Sequence, residues 1–176
     1  MFYEHSIPDG WQIKKIGDFC QIRRGASPRP IHQFLSDNGI PWVKIADATE
    51  QRTRFIDKTN EYIIEKGRPN TVMVKPGDLI VSNSATPGIP KFMKIHAGIH
   101  DGWLLIEPSI ETDKDFVYYL FINERNNLIG LANGTIFKNL KTDIVRNHQV
   151  TLPPKTEQEG ISKILSVIDT KIELNQ

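Results

Sequence analysis

Towards the C-terminus the apolar residues fall at helical seam spacing. Ile161, Leu165, Ile168 and Ile172 follow at steps of four, three and four, Ile164 widens the stripe, and Ser162, Lys163, Asp169, Lys171 and Glu173 take the opposite face. Pro153 and Pro154 can neither continue a strand ladder nor enter a helix interior, so they close the element before them. Thr156 is a good N-cap with Glu159 at capping-box distance, and the pattern predicts a helix over 157–174, roughly 27 Å long at about 1.5 Å per residue. A seam this narrow needs a surface to lie on, either its own domain or another molecule. The pattern stops in mid-period at Asn175-Gln176 with no C-cap glycine, so the expectation is a fragment of a longer chain or a helix that pairs with a partner.

Upstream the period changes. Residues 11–22 alternate loosely between apolar and polar and predict a first strand or two; residues 41–45, 71–74, 78–81, 91–95, 103–106 and 145–152 predict further strands. Lys75-Pro76-Gly77 reads as a tight connection between two of them, and Ala46-Asp47-Ala48-Thr49 as a polar turn. Residues 31–35 suggest a short helix, and 50–69, mixed and charged, a loop with another. The clearest internal helix spans 115–129, with Phe116, Val117, Leu120, Phe121 and Leu128 as a broad core face and Gly130 as its stop. Trp42 lies among Ile40, Val43 and Ile45 and belongs to the core. The expected fold class is α+β: a domain over 1–152 with a twisted mixed β-sheet and short helices, followed by a long coiled-coil-like helix within 153–176.

Composition narrows the function classes only a little. With 176 residues, 39% hydrophobic and 24% charged, the chain is one globular domain by length. Lys and Arg total 22 against 21 acids, so net charge does not announce nucleic acid, which a stand-alone DNA binder generally does. A base-reading domain whose partners carry part of the phosphate grip need not be basic. The single cysteine, Cys20, excludes a disulfide framework and sits in a strand-like run as a small buried thiol. No apolar run approaches a membrane span and the first residues carry no basic-then-apolar signal, so the expected location is the cytoplasm.

Three loops carry side chains suited to DNA. Arg23, Arg24, Ser27 and Arg29 sit in a Gly/Pro-stiffened basic stretch, and the planar guanidinium fork can take guanine or phosphate bidentately. Asn83, Ser84 and Thr86 lie in a loop dense in short hydrogen-bonding groups, where Asn can pair with adenine and Ser or Thr can serve bases or phosphates. Thr135, Lys138 and Asn139 occupy a third loop, and Lys44 adds a cation at the end of the Trp42 strand. Turn chemistry alone would also favour such residues, and solvated basic loops are common. His96 and His100 are four apart, but Gly98 and Gly102 argue against the helix that would make this metal spacing. No catalytic set assembles: there is no Gly-rich cofactor loop, phosphate-binding Gly-Lys-Ser/Thr signature or nucleophile elbow, and Asp78 with Asp113 and Lys114 is the nearest approach to a metal-dependent nuclease site.

The succession of short motifs resembles the specificity subunit of type I restriction-modification systems. Pro8-Asp9-Gly10-Trp11, Ile16-Gly17-Asp18, Gly25 to Pro28, Ile40-Pro41-Trp42-Val43, Gly77-Asp78-Leu79-Ile80, Gly134 with Leu140, and Leu152-Pro153-Pro154 followed by Glu157-Gln158 and Ile168-Asp169-x-Lys171-Ile172 look like that family's motifs in order. The resemblance implies a non-catalytic target-recognition domain that reads one half of a split double-stranded DNA sequence, and a conserved helix serving as spacer and subunit interface through Ile161, Ile164, Leu165, Ile168 and Ile172. It further implies modification (methyltransferase) subunits as partners that methylate adenine N6 and restriction/translocase subunits that cut, with S-adenosylmethionine, ATP and Mg used by those subunits and no cofactor or metal bound by this chain. A second recognition domain, or a second copy through the helix, would complete the site. The remaining alternatives are an interaction module acting through the helix alone and a metal-dependent nuclease.

Overall fold

The computed structural model describes residues 7–51, 53–132 and 139–174. The chain opens with β1 (Gln12–Lys15), a single helical turn α1 (Ile16–Phe19) and β2 (Cys20–Arg24), and after a 3-10 turn at Ile31–Gln33 continues through β3 (Leu35–Ser36) and β4 (Ile40–Val43) to α2 (Ile45–Glu50). Next come β5 (Phe55–Ile56), β6 (Tyr62–Ile63), a 3-10 segment at Glu65–Asn70, β7 (Val72–Val74), β8 (Leu79–Ser82), β9 (Pro90–Met93), β10 (Ala97–Ile99) and β11 (Trp103–Pro108). Helix α3 (Lys114–Ala132), the short α4 (Thr142–Asn147), β12 (Gln149–Leu152) and α5 (Lys155–Leu174) complete the chain.

The fold is α+β. Among the described residues the strands form two five-stranded mixed sheets, ordered β3-β6-β4-β10-β7 and β2-β11-β8-β9-β5, and a two-stranded antiparallel ribbon of β1 with β12. The second sheet lies at the centre of a layered core. Ile22, Leu79, Val81, Phe92, Leu104 and Ile106 turn to the side of α1, α3 and α4, where they meet Phe116, Val117, Leu120, Phe121, Leu128 and Val145. Ile56, Ile80, Met93, Trp103 and Leu105 turn the other way and pack with Val43, Val74, Ala97 and Ile99 of the first sheet. A strand covered on both faces must be apolar at every position, which is why 79–81 and 103–106 read as unbroken apolar runs. Ile40, Trp42 and Ile63 turn to the outer face of the first sheet, capped by Ile31 and Phe34.

Several local expectations are revised. The Lys75-Pro76-Gly77 turn is the expected tight connection between strands, but it joins β7 of one sheet to β8 of the other; Gly77 takes φ +87, and Lys75 N–H is caught by the Asp78 carboxylate at 2.9 Å. The 46–49 turn is helical: Asp47 caps α2 by accepting the Lys44 N–H at 2.7 Å and also accepts the Thr59 hydroxyl at 3.1 Å. The Asp47 carboxyl is raised above its ordinary range because burial outweighs these hydrogen bonds. Gly130 does not stop α3, which runs on to Ala132, and the segment expected as a strand over 145–152 divides into the end of α4 and β12. Helix α5 begins at Lys155, with Pro154 rather than Thr156 supplying the first carbonyl, to Glu157 N–H at 2.9 Å and Gln158 N–H at 3.0 Å.

Candidate functional site

The turn from His100 to Gly102, between β10 and β11, gathers residues from two of the three loops. The chain leaving β2 is pinned to it: Gly25 N–H donates to Trp103 O at 2.8 Å and Ala26 N–H to Ile99 O at 3.1 Å. A Cβ on Gly25 would collide with the His100 carbonyl oxygen, so only glycine lets the basic loop lie this close. Asp101 then collects the loop's side chains. Its Oδ1 accepts the Ser27 hydroxyl at 2.7 Å and lies 3.0 Å from His100 Nε2, its Oδ2 faces Arg29 at 3.3 Å and Arg24 at 3.9 Å, and its backbone oxygen accepts Arg24 Nε–H at 2.9 Å. From the second loop, Asn83 Nδ2 donates to the same Asp101 oxygen at 3.1 Å and to Trp103 O at 3.4 Å, while the Asn83 carbonyl accepts Leu140 N–H at 2.7 Å. That last bond brings in the end of the third loop. Arg24, Asn83, Asn139 and Lys141 thus line one cleft of about 300 Å³.

The electrostatics follow from this packing. Burial would raise the Asp101 carboxyl, but the Ser27 hydrogen bond and the charges of His100, Arg29 and Arg24 outweigh it and hold the group below the usual carboxylate range. His100 moves down: burial disfavours its charged form, Asp101 opposes this, and Lys44, Arg29 and Arg24 reinforce it. The ring is therefore neutral near pH 7. Its Nδ1 accepts Gly102 N–H at 2.8 Å, which assigns the proton to Nε2, facing Asp101. Around one anion stand two exposed arginines, and Lys44, paired with Glu61, is near enough to act on the same histidine. The surface can take a polyanion.

Not every expected residue joins this cluster. Arg23 projects into a separate cleft and is held bidentately by Glu107 at 2.9 and 3.2 Å. Asn83 is 3% exposed, so its amide is spent on the two carbonyls and is turned away from any adenine edge. Ser84 is half-buried with its hydroxyl packed beside Gly102, and Thr86 lies further along the loop, where its carbonyl accepts the Ser82 hydroxyl at 2.6 Å. Asn139 is exposed; Thr135 and Lys138 fall outside the described residues. The residue that sequence reasoning missed is Asp101. Its only signal was an Asp-Gly turn pair ahead of a strand, which by itself marks any tight turn. Among the described residues no cluster of three or more His, Cys, Asp or Glu side chains could hold a metal.

The second expected surface is α5, which packs on α3 with a face that shares Ile161 and Leu165 with the apolar seam but leaves the rest of the seam open. Gln158 and Ser162 are buried; Gln158 Oε1 accepts Asp113 N–H at 2.9 Å and its Nε2 donates to Pro153 O at 2.8 Å. Further along, Asp169 accepts the Tyr119 hydroxyl at 3.0 Å and Glu173 the Arg54 N–H at 3.0 Å. Of the apolar seam, Ile161 packs on the helical core and Leu165 is half-buried beside Phe116, Tyr119 and Leu120. Ile164, Ile168 and Ile172 remain 65%, 48% and 51% exposed, with Val167 next to them.

Residues 8–176 match the family described as type I restriction modification DNA specificity domain. The MjaIX specificity subunit of a type I restriction enzyme from Methanocaldococcus jannaschii is 25% identical over 171 residues, covering 95% of this chain and 40% of that protein. The MjaVIII specificity subunit of the same organism is 22% identical over 183 residues, 97% of this chain and 42% of that one. Among solved structures, a chain from a study of complex assembly and conformational transition in the type I R-M system superposes with a TM-score of 0.77 at 20% identity, over 99% of this chain and 42% of that one. The HsdS subunit from Thermoanaerobacter tengcongensis gives 0.73 at 20% identity, over 99% and 41%. This chain therefore spans about two fifths of the length of these relatives. On the match over residues 8–176, the chain belongs to the type I restriction-modification DNA specificity domain family.

Proposed function

We propose that this domain reads one part of a double-stranded DNA target through the surface around the His100–Gly102 turn, for methyltransferase and restriction subunits that do the chemistry. The observation that carries the reading is the convergence of Arg24, Ser27, Arg29, Lys44 and Asn139, from separate segments, around one turn of a chain belonging to this family. Arg24 and Arg29 are 58% and 70% exposed at their side chains and offer donors for guanine edges or phosphates, while Asn83 holds the loops in register from beneath. Arg23 takes a backbone-positioning role in the neighbouring cleft, and Ser84 and Thr86 extend the surface along their loop; Thr135 and Lys138 lie outside the described residues.

The open stripe of α5, Ile164, Ile168 and Ile172 with Ile161 and Leu165 at its inner edge, is the subunit interface, taking a methyltransferase subunit or a second recognition domain. S-adenosylmethionine, ATP and Mg belong to the partner subunits, this chain is non-catalytic, and the assembly works in the cytoplasm. An interaction module that ignores DNA would leave the Asp101 cluster without a use, so the DNA reading is preferred.

The test is selection of bound sequences from a random duplex pool by this chain mixed with its cognate methyltransferase subunit, at stated salt. Enrichment of one short half-site, or of two inverted copies at fixed spacing, supports the reading, and the copy number reports the stoichiometry. A complex that forms and enriches nothing overturns it and leaves an interaction module.

A further inference from the structure

We propose that Asp101 is the positioning residue that sets how sharply this surface separates its target from other DNA, by holding Arg24, Ser27 and Arg29 on a carboxylate with which every non-specific phosphate must compete. The inference rests on the DNA-reading function above.

The carboxylate is an internal counterpart of the ligand. It accepts the Ser27 hydroxyl on Oδ1 and an Arg29 N–H on Oδ2, with His100 Nε2 and the Arg24 guanidinium facing it at 3.0 and 3.9 Å, so it is ringed by groups of the kind a DNA phosphate would use. The grip is asymmetric. Ser27 is bound in both directions, its hydroxyl donating at 2.7 Å and accepting Asp101 N–H at 3.3 Å, and Arg24 is anchored through Nε to the backbone. The guanidiniums are held more loosely at 3.3 and 3.9 Å and are mostly exposed. Anchoring Nε fixes the plane of the Arg24 fork while its outer nitrogens face Asp101 only loosely, at 3.9 Å, which is the arrangement that bidentate reading of a base edge requires. A phosphate arriving without the matching base gains a guanidinium only by taking it from Asp101.

A purely structural role predicts that losing the carboxylate weakens all binding together. Positioning predicts opposite movements, because freed arginines grip phosphates more readily while their geometry is lost. The measurement is titration of fluorescent duplexes, one carrying the sequence selected by the wild-type assembly and one scrambled, over a salt series. With Asp101→Asn the scrambled duplex should bind roughly 3- to 10-fold more tightly at low salt, with a salt slope steeper by about 1 to 2, and the specific-to-scrambled ratio should fall by roughly tenfold or more.

Ser27→Ala removes one clamp and no charge; a ratio falling about 2- to 3-fold carries the test should Asp101→Asn fail to fold. Glu65→Gln, which frees Arg68 from an exposed ion pair that does not involve Asp101, controls for charge alone. Equal effects from Glu65→Gln and Asp101→Asn, or an unchanged ratio in both Asp101→Asn and Ser27→Ala, overturn the proposal while leaving DNA recognition standing. A wild-type assembly with no sequence preference overturns both.

Discussion

Asn83 illustrates how residue type and residue role part company. In a loop of Ser, Thr, Pro and Gly its amide is a natural reader of adenine, yet folding turns it inward to bond two carbonyls while its own carbonyl takes Leu140 N–H. Asn83→Ala removes both of these side-chain bonds, while Trp103 O keeps Gly25 N–H and Asp101 O keeps Arg24 Nε–H, and should cost about 1–2 kcal/mol of stability by denaturant unfolding, with any loss of DNA binding following the loops it releases. Arg24→Ala behaves differently: the side chain is mostly exposed, so the melting temperature should hold while binding of the target sequence weakens by roughly 10-fold or more in titration. His100 adds a pH dependence. Its folded pKa lies below the ordinary 6.5, so below that value the unfolded chain takes up a proton that the folded chain resists, and stability falls with decreasing pH from about 6.5 towards the folded value. His100→Asn, which keeps an acceptor for Gly102 N–H and cannot charge, should flatten the thermal stability profile between pH 7.5 and 5.5; an unchanged profile would show that other groups carry the dependence. The lowered carboxyl of Asp101 acts lower down, giving stability that is present above the ordinary carboxylate pKa and lost as pH falls through the folded one.

At the scale of elements, legibility tracked burial pattern. The apolar face of α3, Phe116, Val117, Leu120, Phe121 and Leu128, was readable because one helix face meets one core, and the runs 79–81 and 103–106 were readable as strands though not as members of a sheet covered on both sides. What escaped were elements fixed by one side-chain hydrogen bond, such as α2 with its Asp47 cap, and the destination of the Lys75-Pro76-Gly77 turn, since a turn signal names a change of direction without naming the next strand's partner. Helix α5 was legible in extent and misleading in orientation. Its apolar stripe suggested one docking face, whereas Gln158, Asp169 and Glu173 supply much of the grip on the domain through specific hydrogen bonds, which periodicity does not register. The exposed isoleucines can then be changed without touching the core: Ile164→Lys with Ile168→Lys should alter folding stability by no more than about 0.5 kcal/mol per site yet abolish co-purification with the methyltransferase subunit. Retained co-purification would remove the stripe from the interface.

Across the whole molecule the central sheet joins the two surfaces. Strands β2 and β11 end at the Asp101 turn, and the same sheet carries on its other side the α3 helix against which α5 is fastened. Neighbouring residues of β8 serve different cores, Leu79 and Val81 with the helices and Ile80 with the first sheet, so neither core can open without stripping a face from a strand the other needs. This couples the layers into one cooperative unit. The tryptophans sample it at three places: Trp103 fully buried between the sheets, Trp42 on the outer face of the first sheet, and Trp11 tied by its indole N–H to Glu157 of α5 at 2.8 Å. Single-tryptophan variants should therefore give coincident denaturant transitions for Trp42 and Trp103, matching circular dichroism. Ile80→Ala should shift both midpoints together by an amount equivalent to about 2–5 kcal/mol, although it enlarges only the inter-sheet core. Separate midpoints would mean that the first sheet unfolds alone, and the spacing between the DNA-reading turn and the α5 stripe would then be set by a hinge instead of by a shared sheet.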